Sequence, residues 1–260
     1  MNAEANSVVR VTQSGHVGHI TLNRPEKRNA LSREMLERLV ATLRAFDGDP
    51  DIRSVVISGD ARAFAAGADI GTLAEAGPVE LYGSGFSELW DEVATISKPL
   101  VAAVSGYALG GGLELVLICD IVVCDESAVF GMPEAAIGTV PGAGGTQRLV
   151  RVVGKTLAME MILAGRRLNA SEALARGLVS TVTAAGQVEA QALAIADKIA
   201  TNGPVAVKLA KQAVLQSYET PLTAGVRFER SLSALLAASE DRAEGMRAFG
   251  EKRKPVFTGR

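Results

Sequence analysis

The polar and apolar positions change period several times along this chain. Val8–Thr12 and Val17–Leu22 are rich in β-branched residues, and Ser14-Gly15 supplies a turn between them, so the chain begins with a predicted hairpin. Asn23-Arg24-Pro25 stops the second strand. Met35, Leu36, Leu39, Val40, Leu43 and Phe46 then recur every three or four residues behind Ser32, the pattern of a capped amphipathic helix. Val55–Ser58 predicts a buried strand. Phe86, Leu89, Trp90, Val93 and Ile96 mark a second helix that ends before Lys98-Pro99. Leu100–Val104, Ile121–Cys124 and Ala128–Phe130 predict further strands, and Leu113–Cys119 a helix.

Past Gly142 the pattern turns helical, with Met159, Ile162 and Leu163 in one helix. Asn169 and Glu172 have the spacing of a capping box for a short helix closed by Gly177. Val179–Val182 predicts one more strand. After Gln187 only helices are predicted, over 188–201, 204–217, 221–238 and 240–249. The class is therefore α/β, with a mixed body over 1–185 and a helical region over 186–260. Leu222, Val226, Leu232, Leu235 and Leu236 form an apolar row that a terminal helix pair cannot cover alone, which makes it a candidate subunit interface.

Composition narrows the function classes. The chain has 260 residues, 48% hydrophobic and 22% charged, enough for a sizeable folded core. Its net charge of −2 gives no global basic field, so neither nucleic acid nor an anionic membrane surface is an expected partner. The apolar run Leu113–Val123 is interrupted by Glu114 and Asp120, so no membrane span is expected. Met1–Gln13 lacks the apolar core of a secretory leader. Cys119 and Cys124 lie in one apolar segment and suit buried thiols in a reducing compartment, so a cytoplasmic placement is expected. His16 and His19 read as solvated hairpin side chains, and no cysteine–histidine cluster has zinc spacing.

Three stretches carry candidate chemistry. Phe64–Ile70 follows a buried strand and is built of small residues that let a backbone N–H approach a ligand. Ser105–Glu114 contains Gly110-Gly111-Gly112 at a strand-to-helix junction, where free N–H groups favour negative charge, and ends on a carboxylate. Phe130–Glu134 places a second carboxylate after a short strand, and Pro141–Thr146 follows. Each alone also fits a tightly packed turn with a solvated carboxylate. Together, two donor loops and two carboxylates describe a site that polarises a carbonyl beside an acid/base pair. Gly154-Lys155-Thr156 lacks the earlier glycine of a phosphate loop, since Leu149 stands there. Neither a dinucleotide fingerprint nor a nucleophile elbow occurs.

These residues resemble the crotonase superfamily, and within it the short-chain enoyl-CoA hydratases. The resemblance spans Asn23-Arg24-Pro25 with Asn29-Ala30-Leu31, Phe64–Ile70, Pro99–Glu114, Cys119-Asp120, Phe130–Glu134, Pro141–Arg148 and Glu251–Lys254. It implies a superhelix of ββα units with a C-terminal helical trimerisation region, assembled as a homotrimer or as a hexamer of two trimers. It implies hydration of trans-2-enoyl-CoA to 3-hydroxyacyl-CoA, as in fatty acid β-oxidation. Coenzyme A enters as part of the substrate, and no metal or separate cofactor is implied. By position, the N–H groups of Ala68 and Gly111 would form an oxyanion hole, and Glu114 and Glu134 would hold the water, with Gly142 helping to place it. Arg28, Ala30, Ala66, Asp69 and Ile70 would contact the coenzyme A moiety. Met132 stands where hydratases often carry Gln. The same family offers a double-bond isomerase as the rival reading, and an RNA-binding relative is the rival from another class.

Overall fold

Strands made only of apolar or small residues need cover on both faces, and the computed structural model, which describes residues 7–69, 71 and 77–260, supplies it. The first elements are β1 (Val9–Ser14), β2 (Val17–Leu22), α1 (Arg33–Gly48), β3 (Ser54–Ser58), β4 (Ala63–Ala65), α2 (Pro78–Gly83) and α3 (Phe86–Ala94). Next come β5 (Leu100–Val104), β6 (Tyr107–Leu109), α4 (Gly111–Ile118), β7 (Ile121–Asp125) and β8 (Val129–Gly131). Then follow α5 (Gly145–Val153), α6 (Lys155–Leu163), β9 (Arg167–Asn169), α7 (Ala170–Ala175) and β10 (Thr181–Thr183). Four helices end the chain: α8 (Val188–Ala200), α9 (Pro204–Gln216), α10 (Leu222–Leu236) and α11 (Glu240–Gly250).

The strands form two sheets. One has the order β1-β2-β3-β5-β7-β10, the other β4-β6-β8-β9. Within the first, only the β1–β2 hairpin is antiparallel. Successive strand pairs split between the sheets: β3, β5 and β7 lie in the first, and β4, β6 and β8 follow them into the second. Each pair is followed by helix, so the ββα unit repeats, as expected. Side-chain alternation explains the layering. Val55, Ile57, Leu100, Ala102 and Val104 point into the main core with Met35, Leu36, Leu39 and Leu43 of α1. Val56, Val101, Ala103 and Val123 point the other way, against Val188, Ala192, Ala196 and Ala200 of α8. Alanines four residues apart let α8 lie close to the sheet. The first C-terminal helix is thereby part of the body's packing.

Most predicted elements are present, and the departures have local causes. Ser32 Oγ caps α1 by accepting from the Met35 N–H, and all six predicted core positions of that helix are buried. The Asn169–Glu172 capping box is present. The hairpin turn falls at Gly15-His16, because β1 continues to Ser14 and Gly15 takes the left-handed conformation at φ +54°. Strand β6 was not foreseen: its three residues stand between two glycine turns and have no room to show a period. In α6 the buried face carries Leu157, Ala158 and Met161, while Met159 and Leu163 are exposed. His19 is not solvated. Its Nε2 lies 2.8 Å from Ser58 Oγ, so the ring packs on β3. His16 is exposed, with Nδ1 2.7 Å from the Asp51 carbonyl oxygen.

The α1–sheet contact carries much of the core, and Leu39 at its centre is fully buried. Leu39→Ala should cost about 2–5 kcal/mol of unfolding free energy in urea titrations. A loss below about 1 kcal/mol would contradict this packing.

Candidate active site

Strands β4, β6 and β8 are adjacent and parallel, with Ala65 beside Ala108 and Leu109 beside Gly131. Their carboxyl ends therefore open side by side, where ligands of α/β sheets commonly sit. The three stretches singled out in the sequence continue from these ends: Ala66–Asp69 from β4, Gly110–Glu114 from β6, and Met132–Glu134 from β8. Positions up to 69 residues apart are brought together by one short sheet, Ala65 to Glu134.

Backbone donors come first. The Ala66–Asp69 segment is laced to the loop before α1: Ala66 N donates to Arg28 O (3.0 Å), Leu31 N to Gly67 O (2.8 Å) and Asp69 N to Leu31 O (3.0 Å). This lacing skips the Ala68 N–H. Gly111 is the first residue of α4, where helix N–H groups have no internal acceptor. Neither the Ala68 nor the Gly111 N–H meets an acceptor among the described residues. The two loops touch. A Cβ on Gly111 would lie 3.2 Å from the Ala68 nitrogen and 3.5 Å from Cη2 of Trp90, and one on Gly112 would lie 2.0 Å from the Ala65 carbonyl oxygen. Beneath them, buried Asn29 holds a left-handed backbone (φ +55°), accepts from Arg24 N (2.8 Å) and donates to Ala63 O (2.9 Å).

The carboxylates flank this pair. Glu114 lies in the first turn of α4 and is 4% exposed. Its Oε1 accepts from Ala143 N (2.7 Å) and Gly145 N (2.8 Å). Burial pushes its carboxyl above the ordinary value, while those two N–H groups and the Arg148 charge pull it back. Glu134 opens a 3₁₀ turn, Glu134–Ile137, with its Oε1 3.2 Å from where a Cβ on Gly110 would sit. Its Oε2 is buried and has no hydrogen-bond partner among the described residues. Burial raises its carboxyl, its own backbone N–H lowers it, and the Glu114 charge raises it again. Glu114 thus has three groups that favour ionisation, and Glu134 has a neighbour that opposes it.

The other expected residues divide. Arg28 and Ala30 flank Asn29 and offer carbonyls rather than free donors: Arg28 O holds Ala66, and Ala30 O accepts from Arg24 Nη1 at 2.7 Å. The Arg28 guanidinium is exposed, 6.0 Å from the Tyr107 ring centre. Asp69 is engaged by Arg24 at 3.0 Å. Gly142 is exposed beside the loop that holds Glu114. Ile70 lies outside the described residues. Sequence reasoning missed Ala143 and Gly145 as the carboxylate's donors, because alternating small residues show no side chain to read. It also missed Arg148, whose Nη1 donates to Ala143 O at 2.8 Å. Met132 is fully buried, and its Cε lies 2.8 Å from the point where a Cβ on Gly145 would sit, beside Glu114 Oε1.

A sequence model described as enoyl-CoA hydratase/isomerase matches residues 12–260. The chain belongs to the enoyl-CoA hydratase/isomerase family. Among relatives, a probable enoyl-CoA hydratase of Rhizobium meliloti (strain 1021) is 48% identical over 96% of this chain and 97% of its own. The 2,3-dehydroadipyl-CoA hydratase of Escherichia coli (strain K12) is also 48% identical, covering 96% and 98%. A solved enoyl-CoA hydratase subunit I from Geobacillus kaustophilus HTA426 superposes with a TM-score of 0.94 at 43% identity, covering 97% and 98% of the two chains. The expected crotonase-type fold is therefore present over nearly the whole chain. No helix among the described residues is long and apolar enough to cross a membrane.

Burial of the Glu134 carboxyl links stability to pH. Burial raises Glu134 above its ordinary value of 4.5. As pH rises, the unfolded chain gives up this proton first, so stability is fullest below about pH 4.5 and is lost as pH climbs through the folded value. Glu134→Gln has no proton to lose. Its thermal midpoint should therefore gain on that of the wild type between about pH 4.5 and pH 8. Calorimetry showing a constant gap across that range would refute the assignment of Glu134 as a destabilising buried acid.

Proposed function

We propose that this chain is an enzyme that adds water reversibly across the 2,3 double bond of a trans-2-enoyl-CoA, giving a 3-hydroxyacyl-CoA. The observation that carries this reading is the pair of N–H groups of Ala68 and Gly111, without acceptors among the described residues, beside Glu114 and Glu134. The thioester oxygen accepts from the two N–H groups, which makes C3 electrophilic. Glu114, the more readily ionised carboxylate, takes a proton from water as the oxygen bonds to C3. Enolate charge collects on the thioester oxygen, and Glu134 delivers its proton to C2. Atoms balance as one water added. Glu114 then returns its proton, and Glu134 recovers one, through solvent. Gly142 helps place the water, and Arg28, Ala30, Ala66, Asp69 and Ile70 lie along the coenzyme A side. The reaction as written asks for no resident metal or redox cofactor. Relatives bearing the hydratase name at 45–48% identity support the reading.

A hydratase needs one group to activate water and one to protonate carbon, whereas a double-bond shift needs only one carboxylate. Glu114→Gln and Glu134→Gln should each slow crotonyl-CoA hydration by about 10²- to 10⁴-fold without loss of fold. Glu114→Ala should abolish hydration more completely than any shift of a 3-enoyl-CoA double bond. Wild type that shifts that bond faster than it hydrates crotonyl-CoA, with Glu114→Ala sparing the shift, would make the chain an isomerase. The acyl panel should include a chain with a terminal carboxylate, given the dehydroadipyl-CoA relative. A role as an RNA-binding protein is disfavoured by the net charge of −2 and by the engagement of Arg253 with Glu244 and Glu251.

We also propose a body over 1–185 and a helical region over 186–260 whose first helix, α8, packs on the body's sheet and whose later helices oligomerise, as a homotrimer or a hexamer in the cytoplasm. Leu222 and Leu235 of α10 are 84% and 64% exposed, and Phe249 of α11 is 85% exposed, which supports apolar faces covered by other copies. The two buried free thiols support a reducing compartment. Light scattering at micromolar concentration should give a multiple of three times 27.0 kDa, and a stable monomer would refute the assembly.

A further inference from the structure

Glu114 must be ionised to take a proton from water, yet it sits where burial disfavours charge. What offsets that burial is a loop. Ala143 N and Gly145 N both donate to Glu114 Oε1, and neither donor is on the helix that carries Glu114. The loop turns at Gly144 between the two donors, at φ +96°, a conformation that glycine adopts without strain. Something must keep two N–H groups turned to one oxygen. One turn later, Arg148 of α5 reaches back, and its Nη1 donates to the Ala143 carbonyl oxygen at 2.8 Å. Its guanidinium fills the space where a Gly144 side chain would stand, 2.2 Å from that Cβ position. No ion pair engages Arg148 among the described residues, so its charge is not spent on another carboxylate. The Arg148 charge favours ionisation of Glu114, and the Glu114 charge opposes ionisation of Glu134.

We propose that Arg148 is a positioning residue for hydration, tying the Ala143–Gly145 loop to Glu114 and setting a positive charge beside that base. It touches no reacting atom and works through Glu114. The inference rests on the hydratase reading and names the residue that prepares its base. A lysine at 148 would keep the charge but not the planar fork that both packs on Gly144 and reaches Ala143. A glutamine would lose the charge.

The test is the pH dependence of crotonyl-CoA hydration by the full-length protein. Loss of a nearby positive charge makes Glu114 harder to ionise, so the acid limb must move to higher pH. For Arg148→Gln the acid limb of kcat should move up by about one pH unit, which is a tenfold loss on that limb, with recovery toward pH 9. KM should change by less than about twofold, because coenzyme A contacts lie elsewhere. Arg148→Lys should keep an acid limb close to that of the wild type and lose rate at all pH values through the loosened loop. In a Glu114→Gln background, Arg148→Gln should add almost nothing, since the two act as one unit. Circular dichroism checks the fold of each variant, and if Arg148→Gln does not fold, Arg148→Lys and its double variant with Glu114→Gln decide. Variants that keep the wild-type acid limb and rate, or that lose activity through KM alone, or whose losses add to that of Glu114→Gln, would overturn the proposal. Wild type with no hydration of any enoyl-CoA would overturn the hydratase reading instead.

Discussion

The site depends on one close approach of backbone to backbone. The start of α4 lies against the end of β4, which brings Gly111 up to Ala68, and the N–H groups of both meet no acceptor among the described residues. Side chains would prevent it. A Cβ on Gly112 would fall 2.0 Å from the Ala65 carbonyl oxygen, inside any van der Waals contact. Gly110 reverses the chain at φ +49° and ψ −123°, a conformation that glycine adopts without the strain a Cβ would bring. The three glycines therefore do separate work: one turns the chain, one faces the donor of the neighbouring loop, and one admits contact with the strand. Donors fixed by backbone need no reorganisation when charge develops on a ligand, which is why such groups weigh heavily wherever they serve catalysis.

The rest of the fold serves that contact. Loop 28–31 grips the Ala68 segment through three hydrogen bonds. Asn29 fastens the same loop to β4 through Ala63, and the Arg24–Asp69 pair closes the far side. On the other side of β6, Asp125 accepts from Ser105 Oγ and Ser127 Oγ at 2.5 Å, and Ser127 Oγ in turn accepts from Gly106 N. This network fixes the turn into β6, and so the height at which Gly110 emerges. Tertiary packing, rather than helix propensity, decides where the donors stand.

The two carboxylates show how similar groups acquire different surroundings. Glu114 is buried and Glu134 half-buried, and burial raises both. Glu114 is given backbone donors and the nearby charge of Arg148, whereas Glu134 keeps a buried oxygen without a partner among the described residues. Environments that push two acids apart separate base from acid. Met132 adds to the dryness of Glu114, since its thioether offers no strong hydrogen bond where an amide would.

The sequence alone determined the elements with a strong period or a cap. The six core positions of α1, the Asn169–Glu172 box and the four terminal helices could be read because 3.6-residue spacing and capping chemistry are local. The glycine triplet and both glutamates could also be read, because the residue types themselves carry the chemistry. Strand β6 could not, since three residues hold no period. Nor could the donors of Ala143 and Gly145, which act through backbone and leave no side-chain signature. Which glutamate gains backbone donors, and that Arg148 reaches back to their loop, were decided only when β4, β6 and β8 set their carboxyl ends side by side. Pairings across tens of residues depend on sheet register, and register is a property of the folded chain.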